Sequence, residues 1–115
     1  KDYNLNKFYK TTDKNFIKKL KNVYKILKEI KKTLPHEKSL IGFAGSPWTL
    51  LVYMINKGSP KKNNNLLKNI KKKETLKIIK RLEHLIYIHC KNQILAGADV
   101  IQLFDSWAGL INKEN

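Results

Sequence analysis

Three shortages narrow what this sequence can be. It has a single cysteine, Cys90, so it can form no internal disulfide, it has no cysteine cluster of zinc spacing, and it suits a reducing compartment. It has no apolar run near the roughly 18 to 20 residues that span a bilayer, and neither a membrane span nor a secretory signal is expected. It has a single arginine, Arg81, so the formal net charge of +15 is almost wholly a lysine charge. Clustered lysine raises a nucleic acid or an anionic membrane surface as partner. In a chain also crowded with asparagine and isoleucine, the excess fits a coding bias better than a set of phosphate contacts. The expectation is therefore no nucleic acid and no membrane, with a field that could attract a polyanionic small substrate.

Glycine is scarce as well, with five in 115 residues, and their places exclude two nucleotide motifs. Gly42 and Gly45 lack the lysine of a P-loop, and the spacing does not fit a dinucleotide fingerprint. The histidines give no metal pair either. His84 and His89 are five residues apart, about 140° around a helix, and cannot share a metal as an i, i+4 pair would. The 42% hydrophobic content suits a packed protein. The chain opens on Lys1 and closes on Lys113-Glu114-Asn115, and 1–115 is expected to be an internal fragment of one larger domain.

Taken in order, Lys1 to Thr12 carries Tyr3, Phe8 and Tyr9 without period and reads as a loop or an irregular remnant of an earlier element. From Asp13, Phe16, Leu20, Val23, Leu27, Ile30 and Leu34 recur at spacings of four and three, which predicts an amphipathic helix with its lysines solvated; Pro35 stops it. Leu40 to Phe43 is a short strand. It turns at Gly45-Ser46 into a helix over Pro47–Lys57, with Ser46 as N-cap, Pro47 where its missing N–H costs nothing, and Gly58 as stop. Gly58 to Asn65 is predicted to be an exposed loop and Leu66 to Ile70 a short helical turn. A long helix from about Glu74 to Ala96 should carry Leu76, Ile79, Leu82, Ile86, Cys90 and Ile94 on one face, and Gly97 ends it. Val100 to Phe104 is a second strand.

Continuous apolar strands separated by helices belong to a parallel sheet covered on both faces, so the fold class is α/β with a right-handed crossover. Two strands cannot make that sheet alone, and the rest of it is expected outside the chain. Functional residues of such folds gather beyond the carboxyl ends of the strands. Gly45-Ser46 and Asp105-Ser106 both stand there, and Tyr53, two helical turns beyond Ser46, can reach over the same rim. Ser46 reads first as a cap, and Trp48 and Trp107 first as packing residues.

The residues themselves say more. LIGFAGSPWTLLVYMINKGS, Leu40 to Ser59, closely resembles the strand-to-helix segment of the uroporphyrinogen decarboxylase family. AGADVIQLFDSWAG, Ala96 to Gly109, resembles that family's next strand at the expected distance, so the resemblance covers Leu34 to Gly109. It implies part of a (β/α)8 TIM barrel, with two parallel strands and their intervening and flanking helices. It implies a cytoplasmic enzyme of haem biosynthesis, a homodimer at full length, needing neither metal nor organic cofactor. The reaction implied removes the carboxyl groups of the four acetate arms of uroporphyrinogen III to give coproporphyrinogen III. Protonation of a pyrrole carbon makes the ring an electron sink for the departing carboxylate, and the methylene is then reprotonated.

Carried over by residue, Tyr53 and Ser106 resemble the family's substrate-binding tyrosine and hydroxyl, and Phe43 and Phe104 the apolar lining of the cleft. Asp105 matches an acidic position without a catalytic role. The family's arginine-bearing segment, its aspartate at the pyrrole nitrogens and its late histidine have no counterpart here, so no catalytic residue is assigned and the chain alone is expected to be inactive. Two alternatives stand beside this. One is a corrinoid- and zinc-dependent methyltransferase of the same superfamily, which would need His and Cys ligands at strand ends. The other is a small basic nucleic-acid-binding module, supported by charge only.

Overall fold

The computed structural model describes residues 5–58 and 70–111. The elements run α1 (Leu5–Lys10), α2 (Asp13–Thr33), β1 (Ile41–Gly45), α3 (Pro47–Asn56), α4 (Lys72–Ala96) and β2 (Val100–Phe104), followed by a single 3-10 turn at Ala108–Leu110. The strands pair in parallel, from Ile41 opposite Val100 to Gly45 opposite Phe104. α4 packs on both strands and is flanked by α2 and α3. The mixed α/β organisation with two parallel strands is thus as the sequence pattern requires. No described helix is long and apolar enough to cross a membrane. The expected loop of 58–65 and helical turn of 66–70 lie outside the described residues, apart from Gly58 and Ile70.

Local signals place most of the element ends. Thr12 caps α2, its hydroxyl accepting from the Asn15 amide at 3.2 Å, and α2 closes at Thr33 just before Pro35. α3 closes one residue earlier than its pattern suggests: Lys57 takes the left-handed conformation (φ 52°), Gly58 follows at φ 138°, and both amides turn back to the Tyr53 carbonyl. Gly97 ends α4 at φ 120°, a conformation that costs glycine little and other residues much.

The first twelve residues are a correction. They are not a loop throughout, because Leu5–Lys10 forms a helical turn and a half. Six residues show no period by themselves. What holds them is tertiary: Leu5, Phe8 and Tyr9, spaced for one helical face, pack against the Leu51, Ile78 and Leu82 core. The Tyr9 hydroxyl also donates to Glu74 at 2.9 Å. Arg81 completes the joint by donating to the Thr11 carbonyl.

The α4 face is the second correction. Its buried stripe runs through Ile78, Leu82, Leu85, Gln93 and Ala96, whereas Leu76 and Ile94 are 51% and 55% exposed. On α2 the seam likewise turns on Tyr24, the helix's buried residue, while Phe16, Leu20, Leu27 and Leu34 are half-buried and Val23 and Ile30 lie more open. Polar atoms disguise both stripes. Tyr24 meets α4 through its hydroxyl, 2.9 Å from Nδ1 of His89, and Gln93 meets β1 through its amide.

Burial lowers the pKa of His89 below its ordinary value of 6.5. The unfolded chain therefore takes up a proton at mildly acid pH that the folded chain resists. The contribution is complete above the ordinary pKa, and it is lost as pH falls from there toward the depressed folded value. The urea midpoint is expected to drop as pH falls below about 6.5, and a His89→Gln variant to lose this part of the drop.

The third correction concerns the sheet. Both strands were expected to be buried on both faces, but burial alternates along β1 and β2 is largely open. Gly42 and Ala44 lie buried on the helix side. Ile41, Phe43, Val100 and Phe104, which share the opposite face by register and pleat, are each about half exposed. One layer of helices can cover only one face of a two-stranded ribbon.

Candidate functional site

Pairing Gly45 with Phe104 carries the next residues of both segments to one rim. The Ser46 amide donates to the Phe104 carbonyl at 2.7 Å, extending the ladder one step past β1. Ser46 then caps α3, its Oγ accepting from the Thr49 amide at 3.1 Å, with Pro47 opening the helix. The same hydroxyl donates to Oδ1 of Asp105 at 2.6 Å, and the Thr49 hydroxyl donates to that oxygen at 2.8 Å. A single carboxylate oxygen of Asp105 thus accepts both hydroxyls. Ser46 and Thr49 are 5% and 3% exposed, so neither hydroxyl faces solvent.

The connection continues past Asp105. The Trp107 amide donates to Thr49 Oγ1 at 3.3 Å, and Trp48 Nε1 donates to the Trp107 carbonyl at 2.8 Å. The Trp107 indole stands nearly perpendicular to the Tyr53 ring (78°, centroids 6.3 Å apart), an edge-to-face geometry that aromatic pairs prefer. Its own Nε1–H is buried and meets no acceptor among the described residues.

The residues expected at the site fall into two groups. Tyr53, 37% exposed, lies at the rim against Trp107, and Ser106 is exposed between the anchored Asp105 and Trp107. Phe43 and Phe104 stack on the open sheet face, centroids 5.3 Å apart with ring planes 21° apart. They also help to wall an apolar cleft of about 560 Å³ among the helices. Tyr53 and Ser106 do not line that cleft.

The histidines go to separate partners. His84 Nε2 faces Asp13 at 2.9 Å and His89 faces Tyr24. Among the described residues no group of three His, Cys, Asp or Glu side chains is gathered as a metal would need. Cys90 stays a free thiol, its pKa raised by burial, the opposite of an activated nucleophile.

The opposite end of the strands is built for support. Lys31 reaches from α2 to both oxygens of Asp99 at 2.8 Å, and Asp99 accepts the Leu40 amide at 2.8 Å. These bonds, the lysine first, hold the Asp99 pKa below its ordinary value.

Sequence reasoning missed Thr49 as the hub of the rim, and Gln93 as the side chain that holds β1. A usable signal existed for Thr49: it stands three residues after a serine cap and four before Tyr53, on one helical side with it. Nothing local marks Gln93, because its partner is the backbone of Phe43.

The sequence model of the family described as uroporphyrinogen decarboxylase (URO-D) matches residues 3–115. A uroporphyrinogen decarboxylase of Rickettsia bellii is 42% identical over 114 residues, covering 92% of this chain and 32% of the relative. That of Aliarcobacter butzleri is 46% identical over 96 residues, 81% of this chain and 28% of the relative. That of Orientia tsutsugamushi is 42% identical over 95 residues, with the same 81% and 28%. The chain thus spans 28–32% of the length of these curated relatives.

Proposed function

The chain belongs to the uroporphyrinogen decarboxylase family, and from that premise we propose that it is one part of a carboxy-lyase barrel that converts uroporphyrinogen to coproporphyrinogen. The observation that carries this reading is the joined rim. Two segments far apart in sequence, each similar to a substrate-bearing segment of the family, meet through Asp105, Ser46 and Thr49. In this reading the half-exposed Phe43–Phe104 pair faces the barrel interior and lies against the macrocycle. Tyr53 and Ser106 stand at the strand ends, where their hydroxyls hydrogen-bond substrate carboxylates. A dimer in the cytoplasm, working without metal or organic cofactor, belongs to the same proposal.

What the chain contributes is orientation. Decarboxylation needs a ring carbon protonated, the electron pair of the breaking bond drawn into the ring as carbon dioxide leaves, the methylene protonated to methyl, and the ring carbon's proton given up so that the pyrrole is restored. Fixed donors at the carboxylates hold the arm and ring in one pose for these transfers. Within the chain no residue is assigned to move a proton. The lysine-rich surface adds a field that draws in a polyanion without selecting one.

The test uses a full-length protein in which residues 3–115 replace the matching stretch of the Rickettsia bellii enzyme. Tyr53→Phe and Ser106→Ala are each expected to lower kcat/KM for uroporphyrinogen about 10- to 100-fold, the loss of a hydrogen bond to a charged group. Unchanged kcat/KM in both folded variants overturns the assignment of these residues.

A further inference from the structure

Tyr53 and Ser106 sit on different segments, and the side chain of neither sets the distance between them. Their neighbours do. Ser106 is bracketed by Asp105 and Trp107, and both bracketing residues are tied to α3 at Thr49: the Asp105 carboxylate accepts its hydroxyl and the Trp107 amide donates to it. Thr49 lies one helical turn before Tyr53 on the same side, and Trp107 closes the loop by packing against the Tyr53 ring.

We propose that Asp105 and Thr49 form a clamp that positions Tyr53 and Ser106 relative to each other, which makes both of them positioning residues for the reaction. The proposal rests on Tyr53 and Ser106 binding substrate, as argued above. The Thr49 hydroxyl gives its proton to Asp105 and one lone pair to the Trp107 amide, so its orientation is fixed from both sides. At 3% exposure it cannot meet substrate itself. Ser46 is held the same way, between Asp105 and the Thr49 amide. Without the carboxylate, two buried hydroxyls lose their acceptor, and the turn after β2 is left with only the Trp107 bonds to Thr49 and Trp48 to hold it to α3. A displacement of the order of 1 Å at such a rim is enough to cost catalysis dearly.

The experiment is run on the full-length protein, with 3-fluorotyrosine at position 53 for 19F NMR and with uroporphyrinogen turnover measured in parallel. Asp105→Ala, and the near-isosteric Thr49→Val, are expected to lower kcat/KM about tenfold or more, chiefly through KM. Both should shift or broaden the fluorotyrosine resonance. Asp105→Asn keeps an oxygen acceptor and should restore most of the activity. On a Tyr53→Phe background Asp105→Ala should cost much less than it does alone, because the group it positions is already gone.

A merely structural role would lower the melting temperature while leaving kcat/KM within about twofold and the resonance in place; that result overturns the clamp, as does full additivity with Tyr53→Phe. Should the Asp105→Ala protein not fold, Thr49→Val decides by the same readouts. A parent protein without turnover overturns the decarboxylase reading instead, and the fluorotyrosine resonance of Thr49→Val then decides the clamp: moved, it supports it; unmoved, it overturns it.

Discussion

The 115-residue chain by itself is expected to yield no coproporphyrinogen from uroporphyrinogen, even on prolonged anaerobic incubation followed by chromatography of the porphyrins. Two independent deficits lead there. The rim supplies hydrogen-bond donors and an apolar wall, but no group within the chain is assigned to protonate a pyrrole carbon or to hold the cationic ring that results. Among the described residues the sheet has two strands, covered by helices on one face. Its open face leaves Ile41, Phe43, Val100 and Phe104 each about half exposed. An apolar surface of that kind invites association with other chains before it binds a substrate. Turnover by the purified chain would show that the segments missing relative to its relatives do not carry the essential chemistry.

A second large effect is expected at Gln93. Replacing it by leucine in the 115-residue chain, where no described strand lies beyond β1, should lower the unfolding free energy by about 3 kcal/mol, read from the urea midpoint at unchanged m-value. Leu40 and Ser46 bond across to the β2 segment, so by the alternation of a parallel ladder the Phe43 amide and carbonyl point to the other edge of β1. Gln93 satisfies both, with Oε1 accepting from the amide at 3.1 Å and Nε2 donating to the carbonyl at 2.8 Å. Leucine keeps the volume and strands both backbone groups beneath α4, at about 1–3 kcal/mol each. Gly42 belongs to the same arrangement. A Cβ there would stand 2.5 Å from Gln93 Oε1 and 2.7 Å from Ile101 Cδ1, so Gly42→Val should destabilise through the same contact. A Gln93→Leu protein within about 0.5 kcal/mol of its parent would contradict this account of how β1 is held.

What could be read in the sequence was whatever a local signal marks. β2 falls on Val100–Phe104 because Gly97 and Asp105 bracket an apolar run. α3 begins where Ser46 and Pro47 say it should, and α2 where Thr12 leaves off. The shared rim was legible too, because two strands of one parallel sheet necessarily end together.

The misses have one physical cause, side chains whose partners lie far away in the chain. α1 exists because Leu5, Phe8 and Tyr9 have a core to lie on, which a six-residue window cannot show. The α4 stripe was misplaced because His89 and Gln93 look like solvent residues until Tyr24 and the Phe43 backbone appear opposite them. The sheet was expected to be covered because its sequence is that of a covered sheet; its composition matches a larger assembly than the two strands on hand. At the site, Ser46 was recognisable as a cap, but its second bond, to Asp105, and the parallel bond from Thr49 were not.

The central claim, that this chain forms one wall of a porphyrinogen site, is tested most directly by transplantation. Residues 3–115 take the place of the matching stretch in the Rickettsia bellii enzyme, which is 42% identical to this chain over 114 residues, and coproporphyrinogen formation is followed beside the unaltered enzyme. Turnover within about tenfold of the parent is the predicted result, since the rim and its supporting bonds travel together. A transplant that unfolds cooperatively, as a folded protein does, yet forms no coproporphyrinogen would contradict the claim.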